Sequence, residues 1–317
     1  MSPAIRIEGL TKDFAVGFWR KRPRRALDGL TLDIAPGEVF GFLGPNGAGK
    51  TTTLKLLMQL LFPTSGRMEI LGRPAGDLEL RRRIGFLPEE PYFYEYLTAE
   101  ELLSYFGSLF GLSGPERGAR VARLLDDAGI GGERRLPLRK LSKGMIQRVG
   151  IAQALINDPD VVFLDEPMSS LDPLGRRDMR ALVLRLRDRG CTVFFSSHIL
   201  PDAEALCCRV GILAKGRLLA AGRISDLLAG NLRGWELIVA GVSAAVLTPL
   251  ASRATSVTSL DEGRHTLLLP SSAAPEPLIG ALIAAGARIV SLTPVHQTLE
   301  EYFAERVGHN GARGEPS

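Results

Sequence analysis

Apolar and polar residues alternate in two short stretches near the start of the chain. The first is Ile5–Leu10, and the second is Leu30–Ile34, which ends shortly before Pro36 and Gly37. An apolar residue at every second position places one face of a β-strand against a core. We therefore predict two antiparallel strands, joined across the arginine-rich segment between them.

Three continuous apolar runs predict strands that are buried on both faces, as in a parallel sheet covered by helices. They are Val39–Leu43, Val161–Leu164 and Thr192–Phe195. Helical spacing of apolar residues predicts the accompanying helices, over Thr52–Leu61, Leu141–Asn157 and Arg176–Arg189. Ser142 is a candidate N-cap for the second of these helices. The order of elements predicts an α/β core with parallel strands.

Leucine, alanine and arginine at helical spacing fill the segment Thr98–Leu138. This segment lies between a loop near Glu89 and the predicted helix that begins at Leu141. We predict a helical subdomain here, within about residues 90–155.

A different pattern begins after about residue 230. Alternation predicts four strands, at 235–240, 255–259, 265–269 and 288–292, and helical spacing predicts two helices, at 242–251 and 277–285. The order βαββαβ is that of a ferredoxin-like arrangement. A last helix is predicted over 298–307, followed by a polar tail, 308–317, that we expect to be mobile. The expected domains are therefore residues 1–230 and 231–307.

The composition is that of a globular protein, with 45% hydrophobic and 23% charged residues among 317. This length favours one large domain with a smaller one attached. The formal charge is only +4, and the basic run Arg20–Arg25 accounts for it. We expect no nucleic acid partner, because that would require positive charge along a face. The basic run is either a solvated loop or a contact with an anionic membrane surface or a partner.

The three cysteines, Cys191, Cys207 and Cys208, show no metal-ligand spacing. We expect them to be small hydrophobic residues in a reducing compartment. No charged-then-apolar leader opens the chain, and the apolar stretch Leu278–Ala287 is about half as long as a spanning helix. We therefore expect that the protein neither spans nor crosses a membrane.

One segment matches the phosphate-binding pattern G-x-x-x-x-G-K-[ST] between a predicted strand and a predicted helix. Its residues, with Thr52 after them, are Gly44, Pro45, Asn46, Gly47, Ala48, Gly49, Lys50 and Thr51. Glycines let backbone N–H groups turn toward phosphates, and the helix N-terminus adds its dipole. Lys50 is expected to neutralise phosphate charge, and Thr51 to bind Mg²⁺ through its hydroxyl. The alternative is a chance match in a helix-capping loop.

Two carboxylates, Asp165 and Glu166, directly follow the predicted strand Val161–Leu164. In open α/β sheets, ligands bind at the carboxyl ends of the strands. We expect Asp165 to reach Mg²⁺ directly or through water. Glu166 would polarise the attacking water, because phosphoryl transfer requires mainly positioning and charge stabilisation. By itself such a pair would more simply cap a helix or face solvent; the glycine-rich segment favours the functional interpretation.

Further motifs resemble those of the ABC ATPases. Leu141–Arg148 (Leu-Ser-Lys-Gly-Met-Ile-Gln-Arg) resembles the signature helix of that family, and Ser169–Pro173 resembles its D-loop. His198, after two serines, is similar to its switch histidine. With the glycine-rich segment and the carboxylates, these motifs stand in the family's order and cover residues 1 to about 225. The chain thus resembles the ATP-binding subunit of an ABC transporter.

The resemblance implies ATP as the nucleotide, Mg²⁺ as the cofactor and a head-to-tail dimer. In such a dimer, Ser142 and Gly144 of one subunit close over the γ-phosphate held by the glycine-rich segment of the other, and Asp172 belongs to the D-loop. The N–H groups and dipole of a helix capped by Ser142 suit an anion. The resemblance implies that His198 contacts the γ-phosphate and aligns the water. Without the other motifs, the simpler interpretation would be that this histidine only caps the end of a strand.

The sequence departs from the usual family pattern at several positions. Lys143 and Met145 stand where glycine and glutamine are usual, Glu89 replaces a loop glutamine, and Phe14 replaces the tyrosine that stacks on adenine. Phe14 can still stack through its π-face, or it is a core residue. Glu89 can bind Mg²⁺ as an oxygen donor, although it adds negative charge near the phosphates.

The resemblance implies an ATPase subunit that acts on a separate polytopic membrane permease, at the cytoplasmic face of the bacterial membrane. The second ATPase subunit would be an identical chain or a close paralogue. Residues Leu292–Phe303 resemble the C-terminal extension in subunits of bacterial drug, antibiotic and polysaccharide exporters, which favours export over import. This extension could bind a small ligand or enlarge the dimer interface.

Two other classes of function compete with this interpretation. A soluble ABC-type ATPase acting on ribosomes or DNA would resemble two fused cassettes or a cassette split by a long coiled coil, and neither pattern occurs here. A nucleotide-dependent switch without turnover would not need Glu166 and His198.

Overall fold

The computed structural model describes residues 2–17, 22–228, 232–243, 247, 254–261 and 263–311. The chain forms two compact units, Met1–Ile224 and Ser225–Ser317. The first unit contains every motif singled out above except the C-terminal extension.

An antiparallel sheet with the strand order β2-β1-β4-β5 opens the first unit. Its strands are β1 (Ile5–Val16), β2 (Arg22–Ile34), β4 (Ser65–Ile70) and β5 (Arg73–Pro74). The predicted antiparallel pairing of the first two strands is confirmed, with Ile5 opposite Ile34. Both strands are longer than predicted, because Arg22–Arg25 continues β2 as an exposed strand. For these residues the interpretation as a solvated loop is wrong, while Arg20 and Lys21 lie outside the described residues.

The central sheet has the strand order β10-β9-β3-β8-β7-β6. Its strands are β3 (Val39–Leu43), β6 (Ile84–Leu87), β7 (Val161–Asp165), β8 (Thr192–Ser197), β9 (Arg209–Ala214) and β10 (Arg217–Arg223). All neighbouring strands run parallel except β10, which is antiparallel to β9. The three apolar runs are fully buried strands as predicted, because their side chains face other elements on both sides.

Aromatic side chains hold the middle of this sheet together. The Phe194 ring lies 5.2 Å from the Phe42 ring and 6.0 Å from the Phe163 ring, measured between centroids. All three side chains are fully buried. Such contacts fix the relative positions of β3, β7 and β8, whose carboxyl ends carry the motifs.

Three of the helices in the described residues pack against β3, β7 and β8. They are α1 (Lys50–Leu57), α5 (Pro173–Asp188) and α6 (Leu200–Leu206). The predicted extension of the first helix to Leu61 is wrong, because Met58 ends it and Gln59 takes a left-handed backbone conformation at φ 54°. The last turn is therefore replaced by a bend toward β4.

The predicted helical stretch contains α2 (Ala99–Leu109) and α3 (Gly114–Asp127), followed by α4 (Lys143–Ala154). Helix α2 begins with a capping box in which Thr98 and Glu101 exchange hydrogen bonds between side chain and backbone. Helix α4 begins after Ser142, whose hydroxyl accepts a hydrogen bond from the Met145 N–H at 3.3 Å. The predicted N-cap is therefore confirmed.

The second unit begins in α7 (Ile224–Leu228) and contains a four-stranded antiparallel sheet in the order β12-β13-β11-β14. The remaining elements are β11 (Leu232–Ala240), β12 (Ser256–Asp261), β13 (Arg264–Pro270), α8 (Glu276–Ala284), β14 (Arg288–His296) and α9 (Leu299–Gly311). This strand order is that of the predicted ferredoxin-like arrangement. The predicted helix 242–251 lies mostly outside the described residues.

Helix α9 continues to Gly311, past the predicted helix end at Val307. The first residues of the predicted tail, 308–311, are therefore helical rather than irregular, and residues 312–317 lie outside the described part of the chain. Among the helices of the described residues, none combines the length and the apolar character that a membrane span requires.

Candidate active site

The glycine-rich segment links the end of β3 to the start of α1. Gly47 and Gly49 have φ angles of 78° and 112°, which favour glycine. At Gly44, a Cβ atom would lie 2.3 Å from the Leu213 carbonyl oxygen, so that no larger residue fits there. No side chain caps the N-terminus of α1, and its first N–H groups are therefore suited to an anionic ligand.

Lys50, the first residue of α1, is buried and turned back over the loop. Its ammonium group donates to the Gly44 carbonyl at 2.7 Å and to the Pro45 carbonyl at 3.4 Å. It also lies 3.1 Å from Glu166 Oε1, which makes a buried ion pair. The loop thus presents one fixed cation at the carboxyl end of the central sheet.

Asp165 and Glu166 stand at the end of β7, beside the end of β8. The parallel register places Asp165 next to Ser196, and the Ser196 hydroxyl donates to Asp165 Oδ1 at 2.6 Å. The same hydroxyl accepts a hydrogen bond from the Glu166 N–H at 3.0 Å. Ser196 is fully buried and thereby fixes both acids at once. The sequence did not single it out, because its role depends on the register between two distant strands.

Glu166 has a left-handed backbone conformation, with φ at 49°. Such a conformation is unfavourable for a side-chain-bearing residue and is often found at functional sites. Its carbonyl oxygen accepts from the backbone N–H and the hydroxyl of Ser169, at 3.2 and 3.0 Å. These contacts hold the strained residue in place.

His198 and Glu166 are in direct contact through their side chains. The distance between His198 Nδ1 and Glu166 Oε2 is 2.9 Å. Because a carboxylate can only accept, Nδ1 carries the proton in this contact, and Nε2 of a neutral ring remains an acceptor. Glu166 Oε1 makes no hydrogen bond within the described residues, although Lys50 lies near it as an ion pair. This oxygen is buried beside Lys50, so that it can accept a hydrogen bond from a ligand once the ion pair separates.

The carboxylates of the site are crowded. Burial raises the pKa of Asp165, and hydrogen bonds from Ser196 and Thr51 oppose that shift. Partial burial also raises the pKa of Glu89, and the negative charges of Asp165 and Glu166 raise it further. A divalent cation would relieve this crowding, and the oxygen atoms of Thr51, Asp165 and Glu89 are the ligand type that Mg²⁺ prefers.

No cluster of three His, Cys, Asp or Glu side chains that could hold a metal ion occurs in the described ranges. This is compatible with Mg²⁺, which commonly takes one or two carboxylates and completes its shell with water and substrate phosphates. The residues present therefore fit Mg²⁺ together with a nucleotide, and not a metal held by protein alone.

A cavity of about 700 Å³ brings together many of the predicted site residues. From the predicted set, its lining includes Phe14, Pro45, Asn46, Gly47, Gly49, Lys50, Thr51, Thr52, Glu89 and Glu166. Gly44, Ala48, Asp165 and His198 are not part of the lining. Arg24 and Arg25 also line the cavity, and the sequence had indicated them only as part of a basic run.

Ser142, Gly144 and Asp172 do not line this cavity. Ser142 and Asp172 are exposed caps of helices, and the Asp172 carboxylate accepts a hydrogen bond from the Gly175 N–H at 2.7 Å. Gly144 lies close to the D-loop, where a Cβ atom would be 3.2 Å from the Ser170 carbonyl oxygen. Within one chain, these residues therefore do not join the glycine-rich segment.

Comparison with known proteins identifies the family. Residues 27–169 match the family model described as ABC transporter. An uncharacterized ABC transporter ATP-binding protein of Synechocystis is 42% identical over 95% of this chain and 84% of its own length. The bacitracin transport ATP-binding protein of Bacillus licheniformis is 33% identical over 97% of this chain and 98% of its own. The Nod factor export ATP-binding protein I of Cupriavidus metallidurans is 34% identical over 89% of this chain and 92% of its own length.

Solved structures give the same result for the first unit. A dimeric ATP-binding cassette in a post-hydrolysis state, bound to ADP and Pi, superposes with a TM-score of 0.65 at 28% sequence identity. The match covers 69% of this chain and 98% of that one. The chain therefore belongs to the ATP-binding proteins of ABC transporters, and its first unit has the fold of their ATPase cassette.

Proposed function

We propose that this chain hydrolyses ATP in a site shared by two subunits, and that it thereby drives export through a separate membrane-spanning subunit. The observation that carries the proposal is the contact chain from Lys50 through Glu166 to His198, in which one carboxylate lies 3.1 Å from an ammonium group and 2.9 Å from an imidazole. This arrangement stands beside an uncapped helix N-terminus that suits phosphate.

The glycine-rich segment and Thr52 would hold the phosphates of ATP, and Phe14 would stack on the base. Thr51, Asp165 and Glu89 would hold Mg²⁺, which neutralises phosphate charge when it is bound. Thr51 lies near enough to Asp165 to oppose the rise in the pKa of that carboxyl, and this proximity of two oxygen ligands supports the assignment. Lys50 would bind the β- and γ-phosphates as a point charge.

Glu166 would accept a hydrogen bond from the attacking water through Oε1. Phosphates that enter the loop compete with this carboxylate for Lys50, so that binding of the nucleotide releases Glu166 from its ion pair. His198 would orient the carboxylate through its contact with Oε2, and Nε2 of its neutral ring would remain an acceptor. The strained backbone of Glu166 keeps the carboxylate in this position while the ion pair changes.

The second subunit would complete the site with Ser142, Gly144 and Asp172. All three lie outside the cavity of their own chain, and Ser142 caps the exposed N-terminus of α4. The N–H groups there could bind the γ-phosphate that another chain holds. One chain would therefore supply only half of each site.

A membrane-spanning partner would dock near Glu89. The loop after Glu89 exposes three tyrosines, with Tyr92 at 90%, Tyr94 at 62% and Tyr96 at 69% of their full accessible surface. Exposed aromatic side chains in one short segment are typical of protein interfaces. Glu89 also lines the nucleotide cavity. A movement of this loop would therefore transmit a conformational change between the nucleotide site and the docking site of the partner.

Export is favoured by the relatives. Two of them are named for bacitracin transport and for Nod factor export, and their similarity extends over most of this chain, including much of the second unit. We propose a peripheral location at the cytoplasmic face of the cell membrane, where ATP and the partner are both available. The second unit would enlarge the dimer or bind a regulatory ligand.

The proposal predicts that a polytopic membrane protein co-purifies with the chain from its native host. Reconstituted in vesicles, that protein should raise the rate of ATP hydrolysis by the wild-type chain several-fold, since docking at the Glu89 loop favours the closed dimer. The rate is measured as phosphate release, with the Glu166→Gln variant as the control for contaminating ATPases.

Equal hydrolysis with and without the membrane protein would contradict coupling to transport. Hydrolysis by the Glu166→Gln variant at the wild-type rate would contradict the assignment of the site itself.

A further inference from the structure

Phe14 and Arg24 form a cross-strand pair at one end of the nucleotide cavity. They are Cα partners in the antiparallel pairing of β1 with β2. Side chains of such a pair lie on the same face of a sheet with Cβ atoms about 5 Å apart. Both residues line the cavity that contains the glycine-rich segment. An aromatic ring and a guanidinium group are therefore neighbours at this end of the cavity.

The neighbouring arginine is already neutralised. Arg25 donates to both oxygens of Asp13, at 2.9 and 3.1 Å, and to Asp28 at 2.9 Å. Arg24 differs, because its side chain makes no hydrogen bond or ion pair with any residue in the described ranges and is exposed. Of the two cavity-lining arginines, Arg24 is the one with its charge and its donors available to a ligand.

The Phe14 ring is also in contact with a lysine side chain. The Lys12 ammonium group lies 5.1 Å from the ring centroid and donates to the Phe62 carbonyl at 2.7 Å. A cation over an aromatic face is an attractive contact, and the second bond fixes the position of the ammonium group. Lys12 does not line the cavity, so it restrains the ring without occupying the ligand space.

We propose that Arg24 is a nucleotide-binding residue, which contacts the nucleoside end of ATP beside Phe14, with Lys12 positioning the ring. This inference rests on the proposed ATP-binding function of the cavity. A guanidinium plane stacks on a purine, and its N–H groups donate to the acceptor atoms of the base and the ribose. Phe14 lacks a hydroxyl group, and Arg24 supplies hydrogen-bond donors at this end of the cavity.

The test compares two ligands in the Glu166→Gln background, where turnover does not interfere. Calorimetry measures the dissociation constants of Mg-ATP and of inorganic tripolyphosphate with Mg²⁺, because tripolyphosphate occupies the phosphate end alone. Arg24→Ala should raise the dissociation constant for ATP about five-fold or more, which corresponds to an exposed stacking or charge-assisted contact. The dissociation constant for tripolyphosphate should change by less than about two-fold.

Arg22→Ala is the matched control. Arg22 is an exposed arginine two positions earlier on the same strand and does not line the cavity. This variant should bind ATP as the parent does. The proposal for Arg24 is overturned if Arg24→Ala binds ATP unchanged, if both ligands weaken by the same factor, or if Arg22→Ala weakens ATP equally.

Failure of the proposed function would look different from failure of the role of Arg24. In that case the Lys50→Ala variant would bind ATP and tripolyphosphate as tightly as its parent. If binding depends on Lys50 but not on Arg24, only the assignment of Arg24 is wrong.

Discussion

Replacing Glu166 with glutamine is expected to abolish ATP turnover while leaving ATP binding intact. Glutamine has the same size and can still accept a hydrogen bond from His198, whose Nδ1 lies 2.9 Å from Glu166 Oε2. It cannot carry the negative charge that polarises water or accept the proton. General-base groups typically contribute a factor of about 10² to 10⁴, and we expect a loss of that order. Phosphate release and equilibrium ATP binding measure the two effects separately.

The variant should also accumulate as an ATP-bound dimer, because the step that reopens the dimer would be blocked. Size-exclusion chromatography with light scattering, with and without ATP, tests this. Glu79→Gln, at an exposed glutamate outside the cavity, serves as the control and should resemble the wild type. Full turnover by Glu166→Gln would remove this residue from the catalytic machinery.

Lys50→Ala is expected to lose both ATP binding and turnover. Lys50 is the fixed cation of the loop, and only 6% of its side chain is exposed. A hydrogen bond to a charged group contributes about 1.5 to 3 kcal/mol, so we expect the affinity for ATP to fall by about two orders of magnitude. Equilibrium binding of ATP measures this directly, and unchanged affinity would contradict the phosphate role.

The same substitution should destabilise the nucleotide-free protein, because it leaves Glu166 buried without its ion-pair partner. Removing one partner of a buried pair commonly costs about 3 kcal/mol or more of the free energy of unfolding. The double variant Lys50→Ala with Glu166→Gln should regain part of this stability and none of the binding. Denaturant unfolding measures the stability of both variants. A double variant as unstable as Lys50→Ala would mean that the lost stability comes from packing around Lys50 and not from the unpaired charge of Glu166.

The glycine-rich segment and the carboxylate pair could be predicted because their chemistry is local in sequence. A strand, a loop with Gly44 and Gly49, and a helix must be adjacent to form a phosphate cradle, and their spacing is visible in the chain. The acids at 165 and 166 follow a continuous apolar run, which predicts a buried strand and hence the ligand-binding edge of the sheet.

Ser196 and Arg24 could not be assigned roles in the same way. Ser196 fixes both acids only because β8 pairs with β7 in one particular register, and that register joins residues that are 31 positions apart. Arg24 stands opposite Phe14 only because β2 continues through residues that looked like a basic loop. Polar arginines carry no strand signal of their own, and here the pairing with β1 overrides that weak propensity.

The ends of helices, and roles of capping residues beyond their own helix, could also not be predicted from the sequence. The apolar spacing after Leu57 still looks helical, yet the left-handed conformation of Gln59 ends α1. Ser142 and Asp172 each have a complete local role as caps in one chain. The contribution that we propose for them in a second subunit's site depends on an assembly that neither the sequence pattern nor the geometry of a single chain contains.

The most direct test of the shared site mixes two inactive variants. Lys50→Ala removes the phosphate cation, and Ser142→Arg blocks the exposed N-terminus of α4; neither should hydrolyse ATP alone. In a mixed head-to-tail dimer, one site joins the intact loop of the second variant to the intact α4 of the first. Phosphate release by the mixture should therefore rise well above the sum of the separate variants. No gain on mixing, or full turnover by Ser142→Arg alone, would contradict a site completed by a second subunit.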